Sequence, residues 1–185
     1  MNCGATRVAQ AGDGKNKTVA GTGNLYQWGR YEATNHGGPA ANGPIDNARP
    51  GNTFYTVSNS PHNWLNRVDN SLWNGSSKGP NDPCPPEYRV PTDTELMSIG
   101  NATSWDGSGG LFKVNVENSY PQLILPAAGC REVNGSSSNP GIDGYYWSSS
   151  VSSDPNIAFF NSATLRQIPY VRARGFPVRC IREYR

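Results

Sequence analysis

Glycine and proline interrupt this chain from end to end, 21 and 15 of them in 185 residues. A glycine inside a helix or strand costs backbone entropy, and a proline removes a hydrogen-bond donor. Long amphipathic helices would also need more Glu, Lys and Leu than the sequence supplies, since only 16% of residues are charged and 35% hydrophobic. The pattern therefore excludes a long-helix bundle and predicts short strands, a few short helices and long turns. The length suits one domain with a real core. With no internal repeat and no hinge, residues 1–185 read as a single unit. Polar residues follow Met1 at once, so no secretory leader is visible, and the abrupt start reads as a domain cut from a longer chain.

A net charge of +2 is too mild to predict a nucleic-acid partner. No apolar run approaches a membrane span, so no insertion into a bilayer is expected. The four cysteines, Cys3, Cys84, Cys130 and Cys180, form no C-x-x-C pair, which argues against structural zinc. An even count in an Asn/Ser/Thr/Gly-rich chain points to an extracellular protein with one or two disulfides; four buried thiols are the alternative.

Along the chain, Cys3–Ala9 and Leu25–Trp28 read as strands flanking a Gly-rich turn. Residues 31–83 lack periodicity, and Trp64, Leu65, Leu72 and Trp73 are expected to pin this long segment to the core. The sequence VPTDTELMSIG carries a capping box, Thr92 with Glu95 three residues on, and predicts a helix of about two turns stopped by Gly100. Leu96, Met97 and Ile99 supply its apolar stripe. Leu123–Pro126, Tyr145–Ser148, Ala158–Phe160 and Phe176–Arg182 read as further strands. Short strands between turn signals imply a mainly antiparallel sheet, an α+β domain.

Six segments occur in order: GATRVAQ, GNLYQWGR, NDPCPPEYRVPTDTEL, LPAAGCR, GYYWSSS and GFPVRCIRE. Together they resemble the FISUMP-type family of C-type-lectin-like domains of bacterial surface and phage proteins, over nearly the whole chain. More distantly, the chain is similar to the formylglycine-generating-enzyme version of that fold. The resemblance implies a small twisted, mainly antiparallel sheet with one or two short helices and long loops, its N- and C-terminal strands lying together. It also implies a disulfide between Cys84 and Cys180. Cys3 and Cys130 would then either pair with each other or pack as small hydrophobes.

Some proteins with this ending are variable proteins of diversity-generating retroelements. For them the resemblance implies that GYYWSSS and GFPVRC are scaffold and that the residues between are exchangeable binding positions. The candidates are Ser152, Ser153, Asp154, Asn156, Ile157, Phe159, Thr164, Arg166, Ile168, Tyr170 and Arg174, with Ala158, Phe160, Ser162 and Leu165 facing inward. Adenine-directed rewriting of AAC codons cannot yield Lys, Glu, Gln, Met or Trp, and between Val151 and Arg174 only Gln167 is of those types. Aromatic, arginine and small polar residues also make up an antibody-like contact chemistry. The expected function is a ligand-binding display domain in which residues of about 146–182 meet a protein or glycan on a target cell surface. The alternative is a non-diversified adhesive or structural domain of a bacterial surface protein. Either would be extracellular, on a bacterial cell or a phage virion.

Catalytic chemistry finds little support. His36 and His62 lie in the irregular segment, no G-x-S-x-G occurs, and Gly21–Gly23 lacks the rest of a dinucleotide fingerprint. Calcium-dependent sugar binding would need oxygen-ligand motifs, of which Asp154-Pro155-Asn156 and Asn81-Asp82-Pro83 are poor approximations. No cofactor, metal or enzymatic activity is expected. An enzyme of the formylglycine-generating type would instead require two adjacent thiols in a cleft. The sequons at Asn16, Asn74, Asn101 and Asn134 read as chance in an Asn-rich chain.

Overall fold

The computed structural model describes residues 1–73, 75–99, 103–106, 111–114, 123–162 and 164–183. The expected helix stop at Gly100 and the sequons at Asn74 and Asn101 lie outside these residues. The first elements are single helical turns, α1 (Asp13–Asn16) and α2 (Val19–Thr22), then strands β1 (Leu25–Gln27), β2 (Ala40–Asn42), β3 (Phe54–Thr56) and β4 (Tyr88–Arg89). Helix α3 (Asp93–Met97) follows, then β5 (Thr103–Asp106), β6 (Leu111–Val114), β7 (Leu123–Pro126), β8 (Cys130–Arg131) and β9 (Ser137–Ser138). The chain ends with β10 (Gly144–Val151), β11 (Pro155–Phe160), β12 (Leu165–Pro169), β13 (Gly175–Pro177) and β14 (Ile181–Arg182).

The architecture is mostly sheet with few, short helices, an α+β arrangement. Strand β13 lies between β1 and β8 in the sheet β1-β13-β8-β9, pairing antiparallel with β1 from Leu25↔Pro177 to Gln27↔Gly175. This brings the N- and C-terminal parts of the chain together. The sheets β10-β11-β12 and β5-β6-β7 are also antiparallel. Within the long irregular segment, β2 and β3 pair in parallel, which the sequence did not announce.

Two expected strands differ. Cys3–Ala9 forms no strand; the Cys3 N–H donates to the Val178 carbonyl (2.9 Å) and the Cys3 carbonyl accepts from Asn24 (2.8 Å), without a ladder. Phe176–Arg182 is split, because after Pro177 the chain leaves β1 and turns to pair Ile181 with Arg89. Cys180 is held there by a disulfide to Cys84. Cys3 and Cys130 are free thiols.

Tryptophans organise the core as an interlocked set. Trp64 donates its indole N–H to the Trp28 carbonyl (2.8 Å), Trp28 to the Ser148 carbonyl (2.9 Å) and Trp147 to the Tyr26 carbonyl (2.7 Å). Trp73 stacks obliquely on Trp28 at 5.5 Å and donates to the Asn81 carbonyl (2.9 Å). All four rings are buried, as are Leu65 and Leu72, so the segment of residues 31–83 is anchored where the sequence suggested. An indole can bury a large apolar area while its single donor finds a backbone acceptor, which allows a loop to be fixed without regular structure.

Helix α3 has the complete capping box: the Thr92 side chain accepts from the Glu95 N–H and the Glu95 carboxylate accepts from the Thr92 N–H. Leu96 is buried against Tyr146, Ala158 and Phe160, with Met97 and Ile99 packed alongside. The glycine of GYYW has a steric cause, since a Cβ on Gly144 would lie 2.0 Å from the Phe160 ring.

Candidate functional site

The segment expected to carry the site begins at the β10–β11 hairpin. Its tip is Ser152–Asp154, closed by a bond from the Ser152 N–H to the Asp154 carbonyl (3.1 Å). Ser152 and Ser153 are exposed and Asp154 is half-buried. Strand β11 then runs between β10 and β12, and every one of its residues is buried. Side chains alternate across a strand. Ile157 and Phe159 enter the cluster of Tyr145, Trp147 and Phe176, while Ala158 and Phe160 enter the cluster of Tyr146 and Leu96.

This corrects part of the expected surface. Asn156 (6% exposed), Ile157 (0%) and Phe159 (8%) are not presented to a partner. The cause is that β11 is a central strand with both faces covered, so alternation separates two interiors instead of an interior from solvent. Asn156 also donates to Asp93 (2.9 Å), and its carbonyl accepts from the Ser148 hydroxyl (2.9 Å). Ser162, expected to face inward, is exposed. Ala158 and Phe160 are buried, and Leu165 packs half-buried beside Leu96.

The remaining candidates lie along the edge strand β12 and the turn after it. Register places Arg166 opposite Phe159 and Ile168 opposite Ile157, so Arg166 and Ile168 project from one face of β12, and Tyr170 follows just past its end. Arg166 is exposed, with its guanidinium over the Phe159 ring at 5.3 Å. Thr164, at the β11–β12 turn, is half-buried, as is Ile168. The Tyr170 N–H donates to the Pro155 carbonyl (2.8 Å), which brings this end of the row beside the hairpin tip. The Tyr170 ring meets Phe176 edge-on at 5.3 Å and Tyr145 at 6.2 Å, and burial pushes its hydroxyl pKa up. Arg174 lies over Tyr170 at 4.6 Å, donates to its hydroxyl (3.1 Å) and pairs with Glu132 at 2.7 Å. The structure thus gathers Arg166, Ile168, Tyr170 and Arg174 into one row, with Ser152–Asp154 at its Tyr170 end. Arg166 and the serines present open polar groups. Tyr170 and Arg174 are partly committed to the fold.

Two residues that sequence reasoning passed over hold this row in place. Asp93, at the start of α3, accepts from Ser150 (2.9 Å), Asn156 (2.9 Å) and Gln167 (2.8 Å), tying the helix to all three strands of the sheet. Burial pushes its carboxyl pKa up, but the bonds from Ser150, Thr94 and Asn156 outweigh that and hold it below the usual range. Its signal was an acid in the first turn after a capping residue. Glu132, partner of Arg174, had no local signal, because the pair is set by the approach of β8 to β13.

His36, His62, Asn81 and Asp82 are engaged by internal hydrogen bonds. His36 sits between the Ala128 carbonyl (3.1 Å) and the Ser137 hydroxyl (2.9 Å), and burial lowers its pKa. Its second nitrogen therefore meets a carbonyl where a hydrolase would place a carboxylate. His62 lies against the Val57 carbonyl. Asp82 accepts from Lys78 and from the N–H groups of Cys84 and Val90. Asn81 donates to the carbonyls of Gly29 and Ala48. Among the described residues no group of three His, Cys, Asp or Glu side chains converges as a metal site. No helix is long and apolar enough to cross a membrane. Cys3 and Cys130 do not form a pair; Cys3 contacts the Tyr26 hydroxyl and Pro83 carbonyl, and Cys130 donates to Glu132.

Comparison with known proteins found no matching family model, no matching curated protein and no matching solved structure.

Proposed function

We propose that the chain is a FISUMP-type C-type-lectin-like domain that displays a binding surface, without enzymatic activity, toward a protein or glycan on a target cell. The observation that carries this reading is the row of Arg166, Ile168 and Tyr170 with Arg174, adjoining the Ser152–Asp154 tip, raised over a scaffold of buried aromatics. A rigid base under aromatic, arginine and small polar groups keeps the entropy cost of contact low. The Cys84–Cys180 bridge fits an extracellular setting on a bacterial cell or virion.

A diversified surface would draw on Ser152, Ser153, Asp154, Thr164, Arg166, Ile168, Tyr170 and Arg174. It would spare Asn156, Ile157 and Phe159, whose replacement opens the core. The burial of those three favours a second reading, a fixed adhesive or structural surface domain. The genome separates the two. An adenine-rich near-copy of the segment encoding Tyr146–Arg182 beside a reverse transcriptase supports diversification, and its absence supports the fixed surface. The binding reading is tested by screening the domain against arrayed cell-surface proteins and glycans, with Arg166→Ala and Ser152→Arg variants in parallel. At least one partner should lose binding to both variants at unchanged melting temperature. Partners that bind wild type and both variants alike would place the contact surface elsewhere.

A further inference from the structure

A cleft of about 610 Å³ opens between the N-terminal loop Asn2–Ala5 and the turn Pro83–Pro86, beside the Cys84–Cys180 bridge. None of the residues lining it belongs to the segment 152–174. Tyr31 (50% exposed) and Tyr88 (37%) stand on its wall. Arg179 lines this cleft and also two adjoining cavities of about 280 and 40 Å³, and is the one side chain of charged type on the large cleft.

The state of Arg179 is unusual in this molecule. Each other buried or half-buried arginine has at least one partner, although Arg30 Nε, Arg172 Nη1 and Arg174 Nε stay unpaired: Arg7 has Asp13, Arg30 and Arg131 have carbonyls, Arg89 has Glu95, Arg172 has Asn70 and the Trp28 ring, and Arg174 has Glu132. Among the described residues, no hydrogen bond, ion pair or ring contact engages the Arg179 guanidinium. Burial lowers its pKa, and Tyr146 opposes this only in part. Nothing acidic lines the large cleft, and the one acid on the adjoining cavities, Glu95, is already paired with Arg89. A half-buried cation without a counter-ion is costly, and its planar fork matches a carboxylate in two parallel hydrogen bonds. The tyrosines and prolines around it offer flat apolar faces, and the volume is that of a small-molecule site.

We propose that this cleft binds a small carboxylate carried on a ring, with the carboxylate forked on Arg179 and the ring lying against Tyr31, Tyr88 and the Pro83–Pro86 turn. An aromatic acid and an acidic sugar share this chemistry. Calorimetric titration with benzoate and with glucuronate distinguishes them, benzyl alcohol, glucose and inorganic sulfate serving as controls. At least one carboxylate should bind saturably, with its neutral counterpart and sulfate roughly tenfold weaker or more. The tighter of the two names the source. Arg179→Gln should weaken binding by about tenfold or more, and Tyr88→Ala by several-fold. Absence of saturable binding by both carboxylates, sulfate binding as tightly as either, or unchanged affinity in Arg179→Gln overturns the proposal. If Arg179→Gln does not melt cooperatively, Tyr88→Ala decides alone, and unchanged affinity there overturns it.

Discussion

Glu95 has two roles in holding helix α3 against the sheet, and Glu95→Gln separates them. As the third residue of the capping box it accepts from the Thr92 N–H (2.7 Å), which a glutamine carbonyl can also do. As an anion it takes both arms of Arg89, at 2.8 and 2.6 Å, which a glutamine amide cannot. Arg89 is only 8% exposed, so the substitution leaves a buried guanidinium without its counter-charge. The Arg89 guanidinium is the largest cause that holds the Glu95 carboxyl down from 4.5 to about 2. A depression of that size corresponds to about 3 kcal/mol. The Glu95 side chain is 31% exposed, and screening trims the expected loss to about 2 kcal/mol. The folded-state pKa lies below the unfolded one. The contribution is therefore complete above about pH 4.5, declines as the unfolded chain takes up the proton, and is gone once pH falls through about 2. Urea denaturation of wild type and Glu95→Gln at pH 7, 5, 4 and 3 reads this directly. The stability gap should be about 2 kcal/mol at pH 7 and close to half of that near pH 3.3. A gap that stays constant from pH 7 to pH 3, or one below about 0.5 kcal/mol at pH 7, would refute the assignment of this ion pair.

Three other outcomes are expected. Trp147→Ala removes a fully buried ring that meets Phe176 at 4.6 Å and the indole donor that bonds the Tyr26 carbonyl, so it should cost about 5 kcal/mol; a midpoint shift worth under 1 kcal/mol in urea would show the interlocked core wrongly described. Arg166→Ala should change thermal stability by less than about 0.5 kcal/mol, whereas Tyr170→Ala should cost about 1–2 kcal/mol through its edge-on contacts with Phe176 and Tyr145, and equal melting temperatures for the two variants would contradict the packing of Tyr170. Opening the Cys84–Cys180 bridge with reductant, or by Cys84→Ser with Cys180→Ser, releases a loop of 96 residues and should lower stability by about 4 kcal/mol; an unchanged urea midpoint under reducing conditions would count against a stabilising bridge.

Features that depend on neighbours a few residues apart were legible in the amino-acid sequence. The Thr92–Glu95 box starts α3 because the donors and acceptors concerned lie within one turn. Glycine and proline spacing limited the elements to short ones, and Trp64 and Trp73 marked where the irregular segment attaches. Short aromatic and apolar runs marked β10 and β11, and of the set expected to face inward Ala158 and Phe160 are buried whereas Ser162 is exposed. How many faces of β11 are covered depends on packing between distant segments. Alternation says that successive side chains point in opposite directions, not what lies on either side, and here α3 with Leu96 closes one face while Phe176 closes the other. Asn156, Ile157 and Phe159 were misplaced for that reason. The Arg174–Glu132 pair, the Asp93 junction and the unpaired Arg179 were equally invisible, because each arises from segments dozens of residues apart whose approach is fixed by packing of the whole core.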